Sequence, residues 1–128
     1  LATKRLSDGR RATIMDFGLN SLFTSLWYDH KISPAQKNTN QTEDMVMFGP
    51  LCMNIDVVRE SINMPMLQKG DQVVVHRVGA YNMTQWMQFI TLRPNIILID
   101  NENETHIIRK AETLEYIQSQ EITPEHLK

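Results

Sequence analysis

Turn-forming residues recur at short intervals along this chain, and they leave room for strands rather than long helices. Asp8-Gly9, Gly49-Pro50, Lys69-Gly70-Asp71 and Asn101 to Asn103 each interrupt a run of strand-like residues. Gly accepts left-handed backbone angles and Pro fixes φ, so such clusters set turns. Between them lie short apolar segments: Arg11 to Met15, Met45 to Phe48, Gln72 to Val78, Asn95 to Asp100 and Glu104 to Arg109. Six to eight strands with little helix predict a mostly β fold, a closed or nearly closed Greek-key barrel or a sandwich. A length of 128 residues suits one compact domain with a real core, so a single β-domain over 1–128 is expected.

Asp8-Gly9 predicts a hairpin turn, and the segments around Asn101 to Asn103 predict a second hairpin. Val73, Val74, Val75 and Val78 make Gln72 to Val78 the clearest strand, apolar enough to predict burial on both faces. Leu22, Phe23, Leu26 and Trp27 repeat at i, i+1, i+4 and i+5, which predicts one or two helical turns capped by Asn20 or Ser21 and packed on the core. Residues 33–44 read as a polar surface loop, and Val57 to Ile62 as a turn or short strand. Met83, Trp86, Met87, Phe89 and Ile90 show no clean period and are expected to serve core and subunit contacts. Leu114, Tyr116 and Ile117 predict a short terminal helix.

Composition excludes several classes. The net charge is −2, so no broad basic surface exists to neutralise a phosphate backbone. No apolar run approaches the roughly 20 residues that cross a bilayer as a helix. One cysteine cannot form an internal disulfide, which favours a reducing, cytosolic setting. His30, His76, His106 and His126 lack the spacing of a metal site, so no metal is expected. Asn-x-Thr triplets begin at Asn40, Asn82 and Asn103 and are set aside as chance matches, since nothing else points to secretion.

The residues that carry chemistry lie in a fixed order. Asp16-Phe17-Gly18-Leu19-Asn20 is followed by Leu26-Trp27-Tyr28-Asp29-His30. Next comes Gly49-Pro50-Leu51-Cys52 with Asp56, then Gly70-Asp71, Gly79-Ala80-Tyr81, Arg93-Pro94, and Arg109-Lys110-Ala111-Glu112-Thr113. In this order and spacing, from about Arg11 to Tyr116, the chain resembles the C-terminal half of the fold-type III, pyridoxal-phosphate-dependent decarboxylases acting on ornithine, diaminopimelate and arginine. Considered by itself, a lone cysteine after a turn is more often a small buried hydrophobe than a reagent. The resemblance implies more: that Cys52 reaches a site shared between the subunits of a two-fold dimer and returns a proton after carbon dioxide departs. It implies that Tyr81 donates to the cofactor phosphate beside Gly79, and that Tyr28, Met53 and Asp56 fall on the substrate side.

Two positions depart from the family. Where the diaminopimelate enzymes carry an arginine that grips a substrate carboxylate, Thr24 stands. Where an acidic residue usually meets the distal ammonium of the substrate, Met53 stands, which offers no charge. The lysine that holds pyridoxal phosphate belongs, in the family, to an N-terminal (β/α)8 barrel of about 250 residues, and none of the lysines here lies in a matching motif. The expectation is therefore a C-terminal decarboxylase domain that works with such a barrel on an amino-acid substrate, inactive by itself. The alternatives are a non-catalytic pseudo-decarboxylase domain that binds a protein, and an unrelated small β-domain.

Overall fold

The computed structural model describes residues 2–36 and 40–127. The chain forms two compact units, Leu1–Met87 and Gln88–Lys128. In the first unit the chain forms β1 (Ala2–Arg5), β2 (Arg11–Ile14), a 3-10 helix (Phe23–Leu26), β3 (Ile32–Pro34), β4 (Thr42–Phe48), β5 (Val57–Pro65) and β6 (Val73–Val75). The second unit holds β7 (Ile96–Ile99), β8 (Thr105–Arg109), helix α1 (Leu114–Gln118) and a 3-10 turn (Glu125–Leu127). The fold is mostly β, with open sheets of the sandwich kind; no sheet of the described residues closes into a barrel.

The main sheet runs β1-β2-β4-β5. Gly9, at φ 86°, turns β1 back onto β2. β2 then lies between an antiparallel neighbour and a parallel one, β4, so Ala12 and Thr13 are buried on opposite faces. In β4 the consecutive Met45, Val46 and Met47 are all buried, the pattern of a strand covered on both sides. Four of the core side chains are methionines, Met15, Met45, Met47 and Met64, packed with Leu22 and Val58. Unbranched thioethers fill the irregular space left where a mixed sheet meets short loops.

Several expectations need correction. β5 is a nine-residue strand, longer than the turn or short strand expected; its pairing with β4 shifts register twice, between Met45 and Met47 and between Met47 and Phe48. Such bulges bend a strand and re-aim its side chains. Conversely, the valine run yields only a three-residue strand. β6 pairs with β3 alone among the described strands, from Val73 opposite Pro34 to Val75 opposite Ile32, and Arg77 beyond it is left-handed at φ 59°. Val74 is consequently 43% exposed, so this strand is not covered on both faces. The helix expected near 22–27 is a single 3-10 turn whose N-cap is Leu22, with no side-chain cap. Leu22 is buried as expected, but Leu26 and Trp27 face outward. Part of the 33–44 loop is strand, and residues 37–39 of it lie outside the described residues.

In the second unit β7 and β8 form the expected hairpin. Its turn is organised by Asp100, whose Oδ1 accepts from the Glu102 and Glu104 amides while Oδ2 meets His106 Nε2 at 2.7 Å. The His106 hydrogen bond, helped by the Glu104 and Glu102 amides, holds the Asp100 carboxyl below its ordinary 3.8. Helix α1 is capped by Thr113, which accepts from the Tyr116 amide at 3.1 Å. Among the described residues no helix is long and apolar enough to cross a membrane.

Candidate functional site

The structure gathers the candidate residues into two groups, both in the first unit. One group is the loop between β4 and β5. Asp56 sits 2% exposed, and both its oxygens are used: Oδ1 accepts from the Leu19 amide at 2.8 Å and Oδ2 from the Leu51 amide at 2.7 Å. Its own backbone closes the loop, with Gly49 N–H donating to Asp56 O at 2.9 Å and Asp56 N–H donating to Met53 O at 3.1 Å. Gly18 and Gly49 flank the carboxylate so closely that a Cβ on either would run into it. One buried carboxylate thus joins the 16–20 segment to the 49–56 loop.

That clamp decides what the loop presents. Leu51, whose amide it holds, turns inward and is buried; Cys52, the next residue, is exposed. Met53 is half-buried and lines a depression with Phe48, Gly49 and Leu51. Asp56 was expected on the substrate side; in the structure its carboxylate is engaged with the Leu19 and Leu51 amides. Each oxygen of the buried carboxylate is engaged by a backbone amide, and burying it without those partners would cost several kcal/mol; Asp56 also lines the depression beside Met53.

The second group is aromatic. Trp27 stands edge-on to three rings: Phe23 at 5.4 Å, Tyr28 at 6.4 Å and Tyr81 at 6.5 Å between centroids. Tyr28 and Tyr81, far apart in sequence, therefore meet around one indole, and both are well exposed, Tyr81 at 60%. Edge-to-face packing of this kind suits the ring quadrupoles. Gly79 takes ordinary angles, and the left-handed residues are Arg77 and Tyr81, at φ 59° and 66°. What Gly79 does provide is room: a Cβ there would meet nothing within 4 Å.

Sequence reasoning passed over the residues that hold these walls. Thr24, noted as a family departure, is buried, and its amide and hydroxyl both donate to Asn82 Oδ1 at 3.0 Å. The same hydroxyl lies 2.7 Å from His30 Nε2. Arg59, re-aimed by the bulged β5, pairs with Asp29 and donates to His30 O. Asn82 is buried and its Nδ2 donates to Val78 O at 2.8 Å, so in the folded protein it is no glycosylation acceptor. Its Asn-x-Thr triplet was the only sequence signal that touched it. Among the described residues no group of three or more His, Cys, Asp or Glu is placed to hold a metal ion.

A family model described as the pyridoxal-dependent decarboxylase C-terminal sheet domain matches residues 1–79. The chain belongs to that family. The matched region includes Tyr28, Cys52, Asp56 and Gly79 and ends before Tyr81. The diaminopimelate decarboxylase of Buchnera aphidicola subsp. Baizongia pistaciae is 30% identical over 132 aligned positions, which cover 91% of this chain and 31% of that protein. The diaminopimelate decarboxylase of Helicobacter pylori is 28% identical over 118, covering 88% of this chain and 28% of that protein. The fold is shared with a diaminopimelate decarboxylase from M. jannaschii in complex with L-lysine, at a TM-score of 0.82 and 23% identity over 99% of this chain and 29% of that one. It is shared likewise with the Helicobacter pylori enzyme complexed with L-lysine, at 0.82 and 24% over 94% of this chain and 29% of that one. The chain thus spans about three-tenths of the length of the curated relatives that it matches.

Proposed function

We propose that this chain is the C-terminal sheet domain of a pyridoxal-phosphate-dependent amino-acid decarboxylase, and that it lends side chains to a site whose lysine lies on an N-terminal barrel. The observation that carries this reading is the outward thiol of Cys52, presented on a loop whose neighbours on both sides are fixed by Asp56. The residues fit the cofactor in kind. Tyr81 offers an exposed phenol, and Gly79 leaves open space beside it. Pyridoxal phosphate, when bound, supplies the electron sink that lets a carboxylate leave as carbon dioxide.

The roles of this chain follow from its own groups. Cys52 Sγ gives its proton to the α-carbon after the carboxylate leaves and regains one from solvent, general-acid work worth about 10²–10⁴ in rate. Tyr81 Oη donates to a phosphate oxygen, a charge-assisted bond stronger than a neutral one. Tyr28 lines the substrate end. Met53 presents a thioether there, and Thr24 is consumed internally, so neither position supplies a charge for the far end of a substrate. The substrate class that suits this wall is an α-amino acid whose distal group finds its charged partner elsewhere. The domain functions in a homodimer with each site shared between subunits, in a cytosolic setting.

The test is the full-length protein carrying this segment. Titration with pyridoxal phosphate should produce a cofactor absorbance band, and amino acids of the diaminopimelate and lysine class should release carbon dioxide. Cys52→Ala should lower kcat by about 10²-fold or more with cofactor binding intact. Unchanged turnover and product distribution in that variant would remove the role of the thiol. A full-length protein that takes up no cofactor would instead favour the non-catalytic module, to which the uncharged Met53 and buried Thr24 also lend support.

A further inference from the structure

We propose that Asn82 is a positioning residue for Tyr81, tethering the 78–82 turn to the 3-10 helix that leads into Trp27 and Tyr28; the claim rests on the role given to Tyr81 above. Asn82 is 4% exposed and spends its whole side chain on the tether. Oδ1 accepts from the Thr24 amide and the Thr24 hydroxyl, both at 3.0 Å, and Nδ2 donates to Val78 O at 2.8 Å. The amide cannot be flipped. A backbone N–H only donates, so the atom that faces Thr24 N must be the oxygen.

The neighbouring residue needs such an anchor. Tyr81 sits at φ 66°, a left-handed conformation that disfavours side chains other than Gly, Asn and Asp. Strain of this order persists only where the surroundings over-determine it. The backbone after Tyr81 is tied locally, with Thr84 and Gln85 amides donating to Tyr81 O at 3.0 and 2.9 Å. The Asn82 side chain hydrogen-bonds this turn to the 3-10 helix, beside the edge-on contact of Tyr81 with Trp27. With the tether cut, Tyr81 keeps its phenol but loses the reason to hold it beside Trp27 and Tyr28. Asn82 touches no reacting atom in this scheme; it acts through Tyr81.

A double-mutant cycle in the full-length protein separates these roles. Tyr81→Phe should raise the Kd for pyridoxal phosphate about tenfold or more, the size of a lost charge-assisted bond. Asn82→Ala should raise it about five- to tenfold in the native background and less than about twofold on top of Tyr81→Phe. Hydrogen exchange gives a readout that needs no cofactor. Asn82→Ala should speed exchange of the Thr24, Thr84 and Gln85 amides and leave β2, β4 and β5 protected. Asn82→Asp keeps both acceptor contacts with Thr24 and should restore protection there, which also serves if the alanine variant fails to fold. Multiplicative losses in the cycle would overturn the positioning role while leaving that of Tyr81 standing. Unchanged binding in Tyr81→Phe would overturn both. Unchanged exchange in Asn82→Ala would overturn the tether itself.

Discussion

Gly49→Ala tests the clamp on the cysteine loop, because the three heavy atoms nearest to a Cβ at 49 all belong to the Asp56 carboxyl group. Gly49 has no left-handed angle to lose, so backbone strain does not enter. The new methyl must push the carboxylate off the Leu19 and Leu51 amides. Each buried amide left unpaired costs about 1–3 kcal/mol, which puts Gly49→Ala at about 2–6 kcal/mol, a large share of the roughly 5–15 kcal/mol that stabilises a typical domain. Asp56→Ala abandons the same two amides and should cost a similar amount. The double variant is the decisive one. With the carboxylate gone, a Cβ at 49 occupies the space that it vacated, so Gly49→Ala should add less than about 1 kcal/mol on top of Asp56→Ala. Two losses of several kcal/mol that fail to add mark a shared mechanism. Urea denaturation gives the global values, and hydrogen exchange at the Leu19 and Leu51 amides should report the local loss in each single variant. Additive costs, or slow exchange at Leu51 in Asp56→Ala, would refute the clamp.

Three further outcomes are expected. Because the folded Asp100 carboxyl is held below its ordinary 3.8, chiefly by His106, its contribution to the β7–β8 hairpin is complete above that ordinary value and is lost as pH falls through the folded one; an Asp100 titration midpoint at or above 3.8 by NMR would contradict this, and Asp100→Asn should abolish the dependence. The Thr24 hydroxyl gives its single proton to Asn82 Oδ1, so the 2.7 Å contact to His30 Nε2 requires a proton on that nitrogen, and nitrogen-15 shifts should show Nε2–H in neutral His30, not Nδ1–H. Ile97, Ile99, Ile107 and Ile108 of the second unit are all exposed on a two-stranded hairpin, a form marginal without cover; sedimentation of the 128-residue chain should show association that rises with concentration and falls in Ile99→Lys, whereas a clean monomer at every concentration would count against it.

The parts of the fold legible in the sequence are those in which a local residue sets a local shape. Asp8-Gly9 turns its hairpin because Gly9 accepts φ 86°, and the turn at 101–103 follows from residues that cap themselves. Strand extent was not legible, because it depends on the partner. The valines of β6 have the propensity for a long strand, yet pairing with β3 stops at Val75 opposite Ile32, and Arg77 then takes a left-handed φ of 59°. β5 carries charges that left its extent open, yet its pairing with β4 reaches from Val57 to Pro65. Leu26 and Trp27 have the spacing of core residues and are exposed, since periodicity tells which side chains share a face and not what covers that face.

The same distinction divides the site. A thiol after Gly-Pro and a phenol after Gly-Ala could be picked out because each carries its own chemistry, and both prove to be exposed. Asp56 and Asn82 carry chemistry too, but it is spent inward, and nothing in a linear chain separates a carboxylate that meets a ligand from one that meets two backbone amides. The signal that could have shown the inward bonding of Asp56 is the absence of side chains at Gly18 and Gly49, and it becomes a signal only once both stand against one carboxylate. Each exposed group is held by a buried polar neighbour one or a few residues away, Cys52 by Asp56 and Tyr81 by Asn82. On the proposed roles, a sheet domain that offers side chains to a cofactor carried elsewhere cannot lean on that cofactor to order its loops. It has to order them in advance, and fully satisfied buried hydrogen bonds do so with less freedom than apolar packing, because an unmade one is costly.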